Sequence, residues 1–308
     1  MRIIFFGTSA FAVPSLEALV AAGHTVAACV TQPDRPRGRG LVLEPSPVKQ
    51  AAVRLGLPLL QPAHPSAGEL AGASADVGVL ASYGQLIHRD VLELPAHGIL
   101  GVHPSLLPKY RGAAPVAWAL LRGEARTGVT IYRLVEALDA GPMFAQHAVA
   151  IEPGEDAGQL TDRLAKLGAQ ELVRTLEVIS RGTAEPRAQD ETQATLAPKL
   201  SKVQGVIDWE QPAAAIERLI RATVPWPGAV AGWQGVPLKI WAAQAVGGDA
   251  RGAAAGTVVE VAPEQLLVAT GKGVLAIREV QRPGRRRVSV RDFLAGHAVS
   301  VGDMFSHA

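Results

Sequence analysis

The first half of the chain alternates two kinds of hydrophobic pattern. Short unbroken apolar runs stand at RIIFFG (2–7), HTVAACVT (24–31), DVGVLASYG (76–84) and HGILGVH (97–103). Runs of this length, rich in Val, Ile and Leu, read as strands buried on both faces, because a strand with one wet face alternates instead. Between the first two lies PSLEALVAAG (14–23), a helical pattern with Pro early and Gly just past its end. Ser46-Pro47 starts a second helix over VKQAAVRLG, with Ser as the N-cap and Pro in the first turn. This rhythm predicts an α/β fold with a doubly wound, mostly parallel sheet. The stretch TQPDRPRGRGLVLEPSP (31–47) is rich in Pro, Gly and Arg and reads as a loop.

GVTIYRL (128–134) and FAQHAVAI (144–151) add strand patterns, and an amphipathic helix is expected from about Asp156 to Arg181, ended by Gly182. The polar, Pro-bearing segment GTAEPRAQDETQATLAPKLSK (182–202) reads as a linker. A helix follows around AAAIERLIRAT (213–223). Then come GVPLKIWAA, GTVVEVA, QLLVAT, GVLAIREV and RRRVSVRDFL, short strands whose close spacing predicts a small β-barrel. The expected organisation is an N-terminal domain over 1–182, a linker over 183–205 and a C-terminal barrel domain over 206–308.

Composition narrows the classes. The 308 residues are 48% hydrophobic and 19% charged with a net charge of +2, which excludes a uniformly basic nucleic-acid binder while leaving room for a local basic patch. Cys29 is the one cysteine, so neither an internal disulfide nor a Cys-based metal site is available, and its place in TVAACV suits a small buried strand residue. MRIIFFG enters a strand pattern directly, and no apolar run reaches the roughly 18 residues of a membrane span; a cytoplasmic protein is expected. The first strand runs into GTSAFAVP, where Gly7 is the lone glycine. A Gly-x-Gly-x-x-Gly turn for a dinucleotide pyrophosphate is therefore missing, and the oxidoreductase reading weakens.

Candidate chemistry centres on GVHPSLLPKYRGAAP (101–115). His103 ends a predicted parallel strand, where open α/β sheets bind ligands. Pro104 and Pro108 restrict the backbone behind it, the kind of fixed geometry that acid/base or oxyanion chemistry needs. A lone histidine is more often satisfied structurally. The candidate partner is Asp139 in the Leu138-Asp139-Ala140-Gly141 turn; a carboxylate beside a histidine orients the ring and favours its charged form. Taken alone, Asp139 is a turn former. No His/Cys/Asp grouping has metal-ligand spacing, and no metal is expected.

VHPSLLPKYRGAAP, followed about thirty residues later by GVTIYRLVEALDAGP, resembles the signature of the 10-formyltetrahydrofolate-dependent formyltransferases. The resemblance continues through FFGTSAFAVPSLEAL, TQPDRPRGRG with PSPVK, DVGVLASYGQLI, KLSKVQGVIDW, IRATVPWPGA and DFLAG, essentially end to end. It implies formyl transfer from 10-formyltetrahydrofolate to an amine, and the loop and C-terminal segments resemble the members whose acceptor is initiator Met-tRNA. It places the catalytic pair on His103 and Asp139. Folate contacts fall on Ser105, Leu106, Leu107 and Pro108, and on Tyr83, Gly84 and Gln85 within ASYGQLI (81–87), whose backbone would serve the planar donors and acceptors of a pterin. The family usually carries asparagine two residues before the histidine; this chain has Gly101, and contains no asparagine anywhere. It also has Ser9-Ala10-Phe11 where the family usually has Pro-Glu-Phe. If the missing amide is an oxyanion donor, either the enzyme is slow, with His103 alone supporting the oxyanion, or water admitted by the missing side chain bridges to the substrate. The first is expected, with Gly101→Asn raising turnover by at least about tenfold.

Two Arg-bearing segments suit RNA phosphates. The 31–49 loop carries Arg35, Arg37, Arg39 and Lys49. REVQRPGRRRVSVR (278–291) carries six arginines, among them Arg282, Arg285, Arg286 and Arg287 around a Pro-Gly hairpin tip. For both, a solvated surface is the plain alternative. Three other functions stay open at this point: a formyltransferase for an amino-sugar nucleotide, a noncatalytic tRNA-binding relative, and more distantly an oxidoreductase. A monomer is expected.

Overall fold

The computed structural model describes residues 1–37, 42–248, 250 and 252–307, without the side chains of Arg37 and Val42. It resolves into two compact units: Met1–Pro115 with Arg126–Ala150 and Thr161–Pro198, and Val116–Ala125 with Ile151–Leu160 and Lys199–Ala308.

In the first unit the strands are β1 (Arg2–Gly7), β2 (Thr25–Val30), β3 (Arg35–Arg37), β4 (Val42–Glu44), β5 (Leu59–Leu60), β6 (Val77–Ala81), β7 (Ile99–His103), β8 (Arg126–Arg133) and β9 (Met143–Ala150). The helices up to the linker segment are α1 (Val13–Ala21), α2 (Pro47–Arg54), α3 (Ala67–Leu70), α4 (Arg89–Leu92), α5 (Pro115–Leu121) and α6 (Ala157–Ser180). Seven strands form one sheet in the order β5-β2-β1-β6-β7-β8-β9. The pairings are parallel from β5 through β7 and antiparallel at β7–β8 and β8–β9. The mostly parallel sheet expected from the apolar runs is therefore present, and every residue of β7 is buried. One face is packed by Ile4, Phe6, Ala28, Val30, Leu70, Tyr83, Val91 and Ile99. Ser46 caps α2 as expected, accepting from Lys49 N–H at 3.0 Å. Cys29 lies buried on β2, and burial pushes its thiol up to about 12.

Two loop readings need correction. The Arg-bearing stretch after β2 contains an antiparallel ribbon, β3 with β4, in the register Arg35↔Glu44 and Pro36↔Leu43. Arg-Pro-Arg carries no β-branched residue to mark a strand, so the Pro and Gly content of the stretch masked the ribbon. The polar segment after α6 is not a free tether. Arg187 and Met143 exchange backbone bonds of 2.8 and 2.7 Å, and Arg111 N–H donates to Thr195 O at 2.9 Å while Ala197 N–H donates back to Arg111 O at 2.7 Å. Polarity there reflects exposure on one side.

In the second unit α7 (Ala213–Ala222) precedes β10 (Ala229–Trp233), β11 (Val236–Val246), β12 (Val258–Ala262), β13 (Gln265–Ala269), β14 (Val274–Gln281), β15 (Val288–Ser289), α8 (Val290–Leu294) and β16 (Phe305–Ser306). The antiparallel order is β12-β13-β14-β11-β10-β16, with β15 on β14. Val258 N–H to Asp303 O and Phe305 N–H to Gly256 O, both 2.8 Å, join the last strand to the first, so the sheet curls into the expected small barrel. Trp209 and Trp233 each meet Phe305 at a tilt, 39° and 41° between ring planes, in its core. RRRVSVRDFL is a strand for two residues only; Ser289 then caps α8, its hydroxyl accepting from Asp292 N–H at 3.1 Å.

Candidate active site

The site is built on β7 and β8. Residues two apart on a strand face the same way, and the register sets Gly101 opposite Tyr132 and His103 opposite Thr130. These four positions share one face. α6 covers the opposite side closely: a Cβ at Gly168 would come 2.7 Å from Val102 Cγ1.

His103 is buried, and its ring is held from both sides. Nε2 lies 2.8 Å from Tyr110 O, so this nitrogen carries a proton and donates it to the carbonyl. Nδ1 faces Asp139 Oδ2 at 3.7 Å. Asp139 sits at φ 50°, a left-handed turn conformation that Asp tolerates. Its Oδ2 accepts from Gly112 N–H at 2.7 Å and its Oδ1 from the Tyr132 hydroxyl at 2.5 Å. Burial first, then the charge and acceptance of Asp139, pushes the Tyr132 phenol well above its ordinary range. It is a donor and stays one.

The Ser-Leu-Leu-Pro loop is bound to β8 and β9. Thr130 donates to Ser105 O at 2.7 Å and accepts from Leu107 N–H at 3.1 Å, and Gln146 Nε2 donates to Leu107 O at 2.7 Å. Ser105 Oγ donates to Lys109 O at 2.6 Å. Leu107 packs with Tyr132 and Met143, while Leu106 and Pro108 are half-buried. Ser105 and Leu107 thus shape the loop from inside.

The 81–87 segment leaves β6, the parallel neighbour of β7, at the same sheet edge as His103. Tyr83 is buried and donates to Gln85 Oε1 at 3.1 Å; Gly84 is exposed at φ 78°, and Leu86 is 75% exposed. Among the described residues the backbone N–H groups of Gly84, Gln85 and Leu86 have no partner within the protein. An exposed leucine beside free backbone donors is a fit for a flat heterocycle with polar edges.

Gly101 corrects an expectation. A Cβ there would stand 2.3 Å from Tyr132 Cε1, 2.7 Å from Cζ and 2.8 Å from Leu134 Cδ1. The place of a side chain at 101 is filled by a tyrosine ring from the next strand, so the substitution Gly101→Asn is not a free gain.

The proposed RNA contacts divide. Arg35 is exposed on β3; Arg37 is on the same strand, and Arg39 lies outside the described residues. Lys49 is committed to Asp34 at 2.6 Å, and that hydrogen bond holds the Asp34 carboxyl below the usual range. On the barrel, Arg285 N–H closes a turn onto Arg282 O at 3.1 Å with Gly284 at φ 70°. Arg282 reaches His297 Nε2 at 2.6 Å, and Arg287 pairs with Glu279 and lies 5.6 Å above the Trp241 ring. Arg285 and Arg286 are exposed.

Sequence reasoning missed Tyr132, Thr130, Gln146, Arg111 and Gln189. Arg111 is buried, with a bidentate pair to Glu191 at 2.7 and 2.8 Å and a bond to Gln189 Oε1 at 2.7 Å. Gln189 Nε2 donates onward to Asp139 O at 2.7 Å and Gly141 O at 2.8 Å. Position within Lys-Tyr-Arg-Gly was the available signal for Arg111. Gln189 had none.

A histidine and a carboxylate at the strand ends of a mostly parallel sheet, with a barrel following, fit a formyltransferase, and the chain belongs to that family: the profile described as Formyl transferase matches residues 1–176, and Formyl transferase, C-terminal domain, matches residues 199–298. Within it, the chain is similar over its whole length to methionyl-tRNA formyltransferases. That of Solibacter usitatus (strain Ellin6076) is 49% identical over 304 residues, covering 97% of both chains. That of Roseiflexus sp. (strain RS-1) is 46% identical, covering 100% of this chain and 96% of the relative. The fold also matches an N-formyltransferase from Helicobacter canadensis solved with folinic acid and dTDP-3-aminofucose, with TM-score 0.68, 14% identity, and 94% and 100% coverage.

Proposed function

We propose that the protein transfers the formyl group of 10-formyltetrahydrofolate to the α-amine of methionine on initiator Met-tRNA, as a cytoplasmic monomer serving translation initiation. The observation that carries this is the His103–Asp139 pair at the sheet edge, in a chain 49% identical to a methionyl-tRNA formyltransferase. No helix among the described residues is long and apolar enough to cross a membrane.

The folate supplies an activated formyl carbon; a C–N bond forms to the methionine amine and the C–N bond to the folate nitrogen breaks. Gly84, Gln85 and Leu86 hold the heterocycle through backbone and apolar contact, with Leu106 and Pro108 on the other loop. An α-amine with an ordinary pKa near 8 is partly free base at neutral pH and needs no strong base to attack. Negative charge grows on the formyl oxygen as it does. His103, its Nε2 committed to Tyr110 O, has Nδ1 for that oxygen. The 3.7 Å gap to Asp139 is longer than a hydrogen bond, so a proton on Nδ1 is not consumed by the carboxylate. Asp139 balances the imidazolium and takes the proton that leaves the amine, directly or through water, and that proton passes to the folate nitrogen as its C–N bond breaks. Its two donors, Tyr132 O–H and Gly112 N–H, hold it in place.

The test is transfer of labelled formyl from 10-formyltetrahydrofolate to methionine-charged initiator tRNA. Label that moves to an amino-sugar nucleotide and not to tRNA overturns the acceptor. Label that moves to neither overturns the reaction.

A further inference from the structure

We propose that Tyr132 is the positioning residue of this site, supplying from β8 the bulk that a side chain at position 101 cannot supply from β7 and holding Asp139 through its hydroxyl. The inference rests on the reaction proposed above. Three observations carry it.

The first is steric. Gly101 and Tyr132 are register partners, and the Tyr132 ring stands 2.3 to 2.7 Å from where a Cβ at 101 would be. The glycine is not there for its backbone freedom, since it is absent from the positive-φ glycines. It is there because the ring needs the room. A one-strand exchange of this kind, glycine on β7 for a large side chain on β8, keeps the face filled.

The second is the hydrogen bond. Tyr132 Oη to Asp139 Oδ1 is 2.5 Å, a length typical of a hydroxyl donating to a carboxylate. It occupies one oxygen of Asp139 and leaves Oδ2 for Gly112 N–H and the approach to His103 Nδ1. A carboxylate with both oxygens assigned cannot swing away from the histidine. The third is the ring contact. Tyr132 meets His103 edge to face, centroids 6.3 Å apart at 85°, which blocks one direction of imidazole tilt.

The phenol has a single hydrogen, and that hydrogen is given to Asp139. Tyr132 therefore acts through Asp139 and not on the formyl oxygen. This distinguishes it from a transplanted oxyanion donor and sets the experiment.

Tyr132→Phe keeps the ring and removes the oxygen. Turnover should fall about 10- to 100-fold, the scale of a hydrogen bond to a charged group, with the KM values for folate and tRNA within about twofold of the parent. In a double-mutant cycle, adding Tyr132→Phe to Asp139→Asn should cost nothing further, because the group it acts through is gone. An equal additional loss would mean that Tyr132 touches substrate and would overturn the positioning role; so would a Tyr132→Phe enzyme as fast as the parent. The steric half is tested separately, and holds even if Tyr132→Phe folds poorly. Tyr132→Ala opens the space, and combining it with Gly101→Asn, which refills that space from β7, should raise the Tm above that of Tyr132→Ala alone; no recovery overturns the exchange. A parent that transfers no formyl group overturns the reaction and this inference together, whereas an active parent with unaffected variants overturns this inference alone.

Discussion

His103 has one ring nitrogen to offer a substrate, because Nε2 is bonded to Tyr110 O at 2.8 Å and Nδ1 stands 3.7 Å from Asp139 Oδ2, beyond a hydrogen bond. His103→Ala should lower turnover by roughly two to four orders of magnitude, the usual scale for an acid/base group. Asp139→Asn should be comparably severe, for a second reason: an amide has one oxygen for two donors, so it keeps Gly112 N–H only by turning its NH2 to the Tyr132 hydroxyl, which must then accept instead of donate. Single-turnover formyl transfer with thermal unfolding alongside checks both. A folded Asp139→Asn enzyme with near-parental turnover removes the pair from the mechanism.

Gly101→Asn alone should lower both stability and turnover, the opposite of what the missing asparagine suggests on paper. The new Cβ would lie within 2.3 Å of the Tyr132 ring. Overpacking of a buried site costs roughly 1–3 kcal/mol, and moving the ring also strains the bond to Asp139. Calorimetric Tm and turnover at saturating substrates decide it. A variant as stable as the parent and faster would show that the ring yields without cost.

Arg111 links the two functional loops to the segment after α6, so its loss should be felt at Asp139. Arg111→Ala should lower turnover and open the 187–197 segment to proteolysis, since Gln189 then loses the partner that aims it at Asp139 O. The pH dependence follows from Glu191, which the hydrogen bond from Arg111 holds below the usual glutamate range. A depressed folded value means that the contribution is present above the ordinary value and is lost as pH falls through the lowered one. The Tm difference between the parent and Glu191→Gln should therefore close as the medium becomes acidic. A difference that stays constant down to about pH 3 would show that the charge of Glu191 is irrelevant.

The sheet was legible because its strands are buried on both faces and so appear as unbroken apolar runs such as RIIFFG and HGILGVH. The His103–Asp139 pair was legible from strand-end position and turn chemistry, and from the resemblance that joined them across about 36 residues. The Gly101–Tyr132 exchange was not, because register between β7 and β8 is a tertiary fact: IYRL reads as a strand whichever residue it opposes. The 187–197 segment was misread for the same reason. Its Thr195, Ala197 and Gln189 make their bonds to loops more than 45 residues away, and polar residues carry no local mark of a distant partner. The β3–β4 ribbon was hidden by its own Pro and Gly content.

The arginines should not contribute equally to tRNA use. Among the described residues Arg35, Arg285 and Arg286 make no side-chain hydrogen bond or ion pair, while Arg282 is engaged by His297 and Arg287 by Glu279 and Trp241. A free guanidinium can pair with a phosphate without giving up existing bonds; an engaged one must first release them. Arg285→Ala with Arg286→Ala should therefore weaken tRNA binding and make its salt dependence shallower, by about 0.7 to 0.9 in log–log slope for each phosphate that is no longer neutralised. Arg35→Ala should act in the same direction with a smaller effect. Arg287→Ala should change the slope less, because removing it also frees Glu279. Lys49→Ala should reduce stability more than affinity, since Lys49 serves Asp34, which in turn accepts from Gln61 at 2.9 Å. The KM for 10-formyltetrahydrofolate should stay near the parental value in all of these, because none of the side chains belongs to the loops around His103. Titrations of tRNA at several salt concentrations measure the slopes directly. If Arg285→Ala with Arg286→Ala leaves both the affinity and the slope unchanged, the barrel tip is a solvated edge and the RNA surface lies elsewhere.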